Sequence, residues 1–424
     1  MSDSAPQTLK PANPVGAYLV VTAAYWAFML TDGALRMLVL LHFHTLGFST
    51  VQLAYLFLLY EFMGVVTNLS AGWLATRFGL TSTLYAGLAV QIAALLALSV
   101  LDPTWSIAAS VAFVMAVQGA SGVAKDLTKM SSKSAVKVLV PEEAHGQLFK
   151  WVAILTGSKN AVKGLGFLLG AGLLAVWGFE TAVLGMAAVL VAILILAVAL
   201  MPAGLPRGKA KVPFRDIFSK DRRVNALSLA RVFLFAARDV WFVVGVPVYF
   251  YTVLSDGTEE SMREAFFLIG TFMAVWIIGY GAVQAVAPKL VRQPAGTLDG
   301  AVRLARIWVG ALTIIPFALA AAAYAADGPE IWLTLTVVAG LLVFGVVFAV
   351  NSSVHSFLIL AFSRGERVSM DVGFYYMSNA AGRLLGTLLS GLSYQFLGLA
   401  GCLATAGLMA LLSYLAALRL TAEA

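Results

Sequence analysis

Two lysines lie at positions that a bilayer would surround. Lys159 and Lys163 are one helical turn apart in the otherwise apolar segment Trp151–Gly172. If this segment enters the membrane near Gln147, Lys159 lies about 18 Å deep, near the middle of a hydrocarbon core about 30 Å thick. A charge at that depth costs about 3 kcal/mol on insertion scales, so it seldom faces lipid. The pair therefore predicts a water-filled cavity that accepts an anion.

Other charged side chains also fall in apolar segments. Arginine suits phosphate-like groups through its two-pronged donor geometry, and lysine acts as a point charge. The bases outnumber the acids, so the cavity is expected to stay electropositive even if every acid is ionised and paired. The bases are Arg36, Lys159, Lys163, Arg231, Arg238 and Arg383, and the acids are Asp32, Glu61 and Asp239. The sequence thus predicts an anionic substrate.

Each of these charges also has a structural interpretation. Asp32 and Arg36, four residues apart, could form a buried structural pair. Arg231 could reach the cytoplasmic interface by snorkelling, and Arg383 could cap a neighbouring helix. The three acids could carry protons or only neutralise arginines.

A second basic stripe and several polar residues extend the predicted site. Lys125, Lys129, Lys133 and Lys137 recur every four residues, which predicts either a solvated helix face or an electrostatic funnel for a multivalent anion. His355 could hydrogen-bond a polar ligand or serve in packing. The candidate substrate-binding residues are Arg36, Lys125, Lys129, Lys159, Lys163, Arg238, Arg383, Asn160, His355 and Asn379, and the candidates for proton coupling or charge pairing are Asp32, Glu61 and Asp239.

Long apolar segments must position these charges. Hydrophobic residues make up 61% of the 424 residues and charged residues 12%, against about 25% charged in soluble domains. This composition predicts an all-α polytopic membrane protein with no cleavable signal segment. Twelve spans are predicted, at about 16–46, 50–76, 80–101, 104–128, 146–174, 179–202, 223–254, 265–289, 301–326, 331–361, 370–396 and 399–420.

The loops between the predicted spans alternate in charge. Basic residues concentrate in every second loop and acidic residues in the opposite ones. This is the positive-inside pattern, which predicts that both termini are cytoplasmic. The net charge of +7 is thereby explained by topology, and no nucleic acid partner is expected.

The two halves of the chain repeat weakly around a central linker. The predicted boundaries are 1–202 and 223–424 for two parallel six-helix bundles and 203–222 for a cytoplasmic linker, in which Val212–Arg223 could form an interfacial helix. Such repeats place a binding site between the halves, near mid-membrane. The aligned sets are Phe28, Asp32, Phe43 and Thr45 with Phe235, Asp239, Phe250 and Thr252; Leu53, Phe57, Gly64 and Arg77 with Leu268, Phe272, Gly279 and Arg292; and Ser158, Lys163 and Gly166 with Ser378, Arg383 and Gly386.

Several chemistries find no support in the sequence. Cys402 is the only cysteine, so the chain can form neither an internal disulfide nor the thiolate site that arsenite selects. We find no Ser/His/Asp set, metal cluster or phosphate-cradling loop, and we expect neither a cofactor nor an enzyme activity. A receptor would usually carry a soluble output domain, and none is predicted here. A cation exporter should place unpaired acids in the cavity, whereas the predicted cavity has an excess of bases.

The loop Gly72–Gly79 resembles the loop motif of the major facilitator superfamily, Gly-x-Leu-Ala-Asp-Arg-x-Gly. It departs from that motif at Thr76, where the family has Asp. The runs Gly122–Ser134 and Gly146–Gly164 resemble the ArsJ family of bacterial organoarsenical efflux permeases, as do Tyr60–Phe62 and Gly72–Ala75. This resemblance implies a location in the bacterial inner membrane.

The same resemblance implies a substrate and a functional partner. The substrate would be 1-arseno-3-phosphoglycerate, made when a glyceraldehyde-3-phosphate dehydrogenase uses arsenate, so export would give arsenate resistance. We therefore expect a secondary active exporter working by alternating access, with proton antiport as a candidate coupling. The alternative is an exchanger of ordinary organic phosphates such as phosphoglycerate.

Overall fold

The computed structural model describes residues 14–139, 145–202, 219, 221–291, 297–363 and 368–421. Within these ranges the chain forms long α-helices, one π-helical turn and no strand, which confirms the predicted all-α class. In chain order the helices are α1 (Pro14–Thr45), α2 (Thr50–Ser99), α3 (Ile107–Leu139), α4 (His145–Leu200), α5 (Arg222–Val240), α6 (Val246–Leu254), α7 (Glu259–Val291), α8 (Leu298–Ala325), α9 (Ile331–Phe362) and α10 (Val368–Ala417), with the π-helical turn Trp241–Gly245 between α5 and α6.

Three of these helices are broken by a single glycine. The backbone φ angle is 74° at Gly79 in α2, 76° at Gly178 in α4 and 62° at Gly398 in α10, with ψ near 180° or −160°. Only glycine adopts this region readily, so each position ends one span and begins the next. Because α2, α4 and α10 have 50, 56 and 50 residues, each is long enough for two spans of about 20 residues.

The described residues are therefore consistent with the twelve predicted spans, since α5, the π-helical turn and α6 make a single apolar stretch, Arg222–Leu254. The predicted breaks after residues 76, 174 and 396 each fall within four residues of a glycine that breaks a helix. Helix α3 continues to Leu139, beyond the predicted end near residue 128. Most of the predicted linker lies outside the described residues, so the domain boundaries and the interfacial helix stay predictions.

Close glycine contacts hold the helices that carry the charges. A methyl group on Gly166 of α4 would lie 2.5 Å from the carbonyl oxygen of Leu30 in α1. A methyl group on Gly386 of α10 would lie 2.7 Å from Cβ of Asp239 in α5. Small residues let helix backbones approach in this way within a membrane. The aligned glycines of the two halves thus make the same kind of contact with the aligned helices.

The two halves meet at one end of the molecule, which we name the Thr50 end. Thr50 begins α2, and its hydroxyl donates a 3.1 Å hydrogen bond to the carbonyl oxygen of Gly391 in α10. The backbone amide of Thr50 donates to Oε1 of Gln395 at 3.1 Å. Nearby, the rings of His44 and Tyr251 pack edge to face with centroids 4.8 Å apart. Side chains and backbone therefore join the halves at this end.

Candidate substrate-binding cavity

A cavity of about 260 Å³ lies between the two halves. On α10 its lining begins two turns or more from Gly391, so it lies away from the Thr50 end. Pockets for drug-sized ligands span about 300–1,000 Å³, so this volume suits a smaller molecule. The basic residues that line it are Arg36, Lys125, Lys129, Lys159, Lys163, Arg231, Arg238 and Arg383.

The first ion pair joins α4 to α1. Lys163 Nζ lies 3.0 Å from Oδ2 of Asp32, and the Tyr60 hydroxyl donates to Oδ1 of Asp32 at 2.6 Å. The predicted pair of Asp32 with Arg36 is therefore wrong. The close contact of Gly166 with α1 brings Lys163 to Asp32, and sequence spacing within one helix does not reveal this neighbour.

The second ion-paired group centres on Glu61 and crosses between the halves. Arg36 Nη2 donates to Oε1 of Glu61 at 2.6 Å, and Arg383 Nη2 lies 3.0 Å from Oε2. Glu61 is fully buried. Arg383 therefore lies against a carboxylate of the other half, and the alternative that it caps a helix end is wrong.

Asp239 makes a third, more local pair. Arg238 Nε donates to Oδ1 of its neighbour Asp239 at 2.5 Å. The other carboxylate oxygen of Asp239 is buried without a hydrogen-bond partner among the described residues. Gly386 packs on Cβ of Asp239, and Arg383 precedes Gly386 by one turn on α10, so Arg383 projects from the face of α10 that contacts the helix of Asp239.

Asp126 is a fourth buried carboxylate, next in sequence to Lys125, and it was absent from the predicted acids. It lines the cavity and lies 3.4 Å from Lys129 Nζ. The hydroxyl of Thr67 also donates to it. Lys129 Nζ in turn donates to Oδ1 of Asn68 at 2.7 Å, so α2 and α3 are joined by a polar network. Asn68, a polar residue in an apolar span, was the available signal for this contact.

Lys125 differs from the other lysines in its surroundings. Its side chain is 6% exposed, and its Nζ has no hydrogen-bond partner among the described residues. The ammonium group lies 4.0 Å from the centre of the Tyr60 ring, as in a cation–π contact. A buried cation with so little compensation is poised to bind an anion.

Arg231 and the two predicted asparagines lie in the cavity wall. Arg231 is 3% exposed and its Nε donates to Oδ1 of Asn379 at 2.6 Å, so the snorkelling interpretation is wrong. Asn160 Nδ2 donates to Oε1 of Gln284 at 3.4 Å. Arg231 and Gln284 are thus lining residues that were absent from the predicted set.

His355 is absent from the residues that line the cavity, which corrects its assignment to the binding set. Its ring is fully buried, and neither ring nitrogen has a hydrogen-bond partner in the part of the chain that the structure describes. The next residue, Ser356, lines the cavity instead. Successive helix positions are rotated by about 100°, and the sequence does not reveal which of two adjacent polar residues faces inward.

Positive charge exceeds negative charge around the cavity. Within the described ranges, eight bases line it. Four buried carboxylates accompany them, namely Asp126 in the lining and Asp32, Glu61 and Asp239 behind it. Two unit charges 4 Å apart interact by about 4 kcal/mol at an effective dielectric constant of 20, so this excess of positive charge over the described residues favours a mobile anion.

Comparisons with known proteins agree with this architecture. The family model described as Major Facilitator Superfamily matches residues 17–356. The crystal structure of the nucleoside transporter NupG (D323A mutant) is similar, with 15% identity, a TM-score of 0.65 and coverage of 95% of this chain and 98% of that one.

A second similar structure is that of a bacterial homologue of the iron transporter ferroportin in an inward-facing state. It shares 12% identity and has a TM-score of 0.68, with coverage of 96% of this chain and 99% of that one. No curated protein sequence matches the chain.

Proposed function

The chain belongs to the major facilitator superfamily and is a multi-pass membrane transporter, and we propose that it exports a small organic anion that carries two oxyanion groups. The observation that supports this proposal is the excess of four basic side chains around a buried cavity, counted over the described residues. A fixed surplus of charge in a low-dielectric site is stabilised by a counter-charge that enters with the substrate.

The distribution of bases supports a substrate with two charged ends. The lysines that line the cavity all belong to the first half, and the second half contributes arginines only. We propose that Lys159, Lys163 and Arg36 hold one end, and that Arg238 and Arg383 hold the other. Lys125 and Lys129 gather the anion from the cytosol. A rigid guanidinium fork suits a phosphoryl or arsonyl group, and ammonium groups attract such a group without fixing its orientation.

The resemblance to organoarsenical permeases supports 1-arseno-3-phosphoglycerate as the substrate. That molecule carries an arsenate group at one end and a phosphate group at the other, and both bind nitrogen donors through oxygen. Cys402, the only cysteine, is buried and donates to the carbonyl oxygen of Val240, so it is not available to bind arsenite. The functional partner is a glyceraldehyde-3-phosphate dehydrogenase that supplies the ester.

Buried carboxylates provide a candidate route for proton coupling. Asp32, Glu61 and Asp239 each neutralise a base that also lines the cavity. An incoming anion competes for those bases, and a carboxylate that loses its basic partner binds a proton more readily. Exchange of an outgoing anion for incoming protons follows from this competition.

The closed end gives the direction of substrate loading. The alternating charge of the loops supports a topology with the Thr50 end outside and both termini in the cytoplasm. The hydrogen bonds of Thr50 with Gly391 and Gln395 close that end, so the cavity is loaded from the cytoplasmic side. This is the arrangement from which an exporter of the bacterial inner membrane begins its cycle.

A flux assay tests the proposal. Vesicles containing the purified protein should take up labelled 3-phosphoglycerate by counterflow, and freshly made 1-arseno-3-phosphoglycerate should compete. We expect Lys163→Ala to reduce flux by about 100-fold, corresponding to about 2.8 kcal/mol. Lys289→Ala, on α7 but outside the residues that line the cavity, is the control and should transport normally.

The results separate the arsenic ester from ordinary esters. If a pH gradient across the vesicle membrane fails to change the flux, the proposed proton coupling is wrong. Equal transport of both esters would favour the organic-phosphate exchanger, since the charged and amide groups that line the cavity bind through nitrogen and oxygen and treat arsenate and phosphate alike. Transport of neither ester would overturn the proposed substrate class.

A further inference from the structure

The space beside Gly64 lies between two cations from opposite halves. Gly64 is a buried residue of α2. A methyl group placed on it would lie 3.6 Å from Nη2 of Arg383 and 3.8 Å from Nζ of Lys125. The two cations therefore lie beside the same face of Gly64, and both belong to residues that line the cavity.

Both cations retain unused hydrogen-bond donors. Nζ of Lys125 and Nε of Arg383 are buried and have no hydrogen-bond partner among the described residues. Arg383 contacts Glu61 through Nη2 only, at 3.0 Å. A buried donor without an acceptor carries a free-energy cost, and the cost is greater when the group is charged. An acceptor placed between the two cations would recover this free energy.

We infer that Lys125 and Arg383, which line the cavity on either half beside Gly64, form a single subsite for a tetrahedral oxyanion, the phosphoryl or arsonyl group of the cargo. This inference rests on the proposed transport of an anion and revises one part of it, because Lys125 becomes a binding residue within the cavity. Arg383 holds Glu61 with one arm of the guanidinium group and donates Nε–H to the oxyanion. The Lys125 ammonium donates to a second oxygen.

A tetrahedral group suits this arrangement better than a planar carboxylate. The donors come from opposite helices, α3 and α10, and oxygens that point in several directions can reach both. A phosphoryl group also carries up to two negative charges, which matches two cations. The subsite bridges the halves, so its occupancy stabilises the conformation in which α3 and α10 are close.

Gly64→Ala tests the subsite without disturbing the fold. Every neighbour of the added methyl group is at least 3.6 Å away, which is ordinary contact, and alanine favours a helix over glycine. Gly279→Ala is the matched control, because Gly279 aligns with Gly64 in the sequence repeat and nothing lies within 4 Å of its added methyl group. A third variant, Lys125→Met, retains a long unbranched side chain and removes the positive charge.

The measurement is calorimetric binding of inorganic phosphate, 3-phosphoglycerate and acetate to full-length protein in lipid nanodiscs. We expect Gly64→Ala and Lys125→Met to weaken both phosphate ligands by about tenfold or more, equivalent to about 1.4 kcal/mol, with Gly279→Ala unchanged. Acetate should bind wild type at least tenfold more weakly than phosphate.

The outcomes distinguish this inference from the proposed transport function. Wild-type affinity in both Gly64→Ala and Lys125→Met overturns the subsite, as does an absence of phosphate binding or an equal affinity for acetate. If Gly64→Ala fails to fold, the phosphate affinity of Lys125→Met is the test by itself. Wild-type affinity in that variant overturns the subsite. Gly64-dependent phosphate binding without any ester flux in vesicles would contradict the transport proposal and leave the subsite in place.

Discussion

The two halves use the same helix contacts to position differently paired charges. In the first half, Lys163 and Asp32 form an ion pair within that half. The aligned residues of the second half are Arg383 and Asp239, yet Arg383 contacts Glu61 across the cavity instead. Asp239 is left with its neighbour Arg238 and one unpaired oxygen. The Lys163–Asp32 pair is thus internal to the first half, whereas Arg383 pairs with a carboxylate of the other half.

This difference indicates where the electrostatic connection between the halves lies. Glu61 is the carboxylate that holds a base from each half, through Arg36 and Arg383. Asp239, at the position equivalent to Asp32, retains one oxygen to accept Arg383 if the halves separate. In the second half, Arg383 could therefore pair with Asp239 instead of Glu61. In the first half, the equivalent pair of Lys163 with Asp32 is already formed.

The largest expected effect comes from removing the shared carboxylate. Glu61→Gln leaves Arg36 and Arg383 without their carboxylate in a buried site, and loss of one partner of a buried pair costs about 3–5 kcal/mol. We expect a matching loss of stability in thermal unfolding of the purified protein. Glu180→Gln, at an exposed position, is the control. Equal unfolding temperatures for the two variants would show that Glu61 does not stabilise the halves.

A smaller loss of stability is expected from substitution of the glycines that align between the two halves, Gly166 and Gly386. Gly166→Ala and Gly386→Ala each force a methyl group to within 2.7 Å of the facing helix, and such overpacking costs about 1–3 kcal/mol. The two variants should lose similar stability, because the packing is the same in both halves even though the pairing differs. Gly185→Ala, which has nothing within 4 Å, should be neutral. A strong loss in one half only would contradict the common packing.

The smallest effect, on phosphate affinity, is expected when lysine and arginine are exchanged at the aligned positions Lys163 and Arg383. Arg383→Lys removes the guanidinium group, whose Nη2 contacts Glu61 and whose Nε has no hydrogen-bond partner among the described residues, so phosphate affinity should fall by about tenfold, or about 1.4 kcal/mol. Lys163→Arg replaces a single contact to Asp32 and should change affinity by less than about threefold. Calorimetric titration compares the two variants. Equal losses would show that the halves do not differ in this respect.

The sequence was sufficient to predict the charges and the spans but not the pairings. An intramembrane base is costly in any fold, so Lys163 and Arg383 could be recognised from apolar context alone. Their partners could not, because Asp32 lies 131 residues from Lys163 and is brought to it by packing between helices. Arg231 was misplaced for a related reason, since its depth in the fold depends on the neighbouring helix that supplies Asn379.

The π-helical turn Trp241–Gly245 has a consequence for the speed of any change in pairing. The hydroxyl of Ser390 in α10 accepts hydrogen bonds from the backbone amides of Val244 and Gly245, both at 3.1 Å. Those bonds fasten the helix of Asp239 to the helix of Arg383 whatever their side chains contact. Exchange of Arg383 between Glu61 and Asp239 would therefore need rotation of its side chain but no separation of these two helices. Rocking of the bundles, which takes about microseconds to milliseconds, is not required for it.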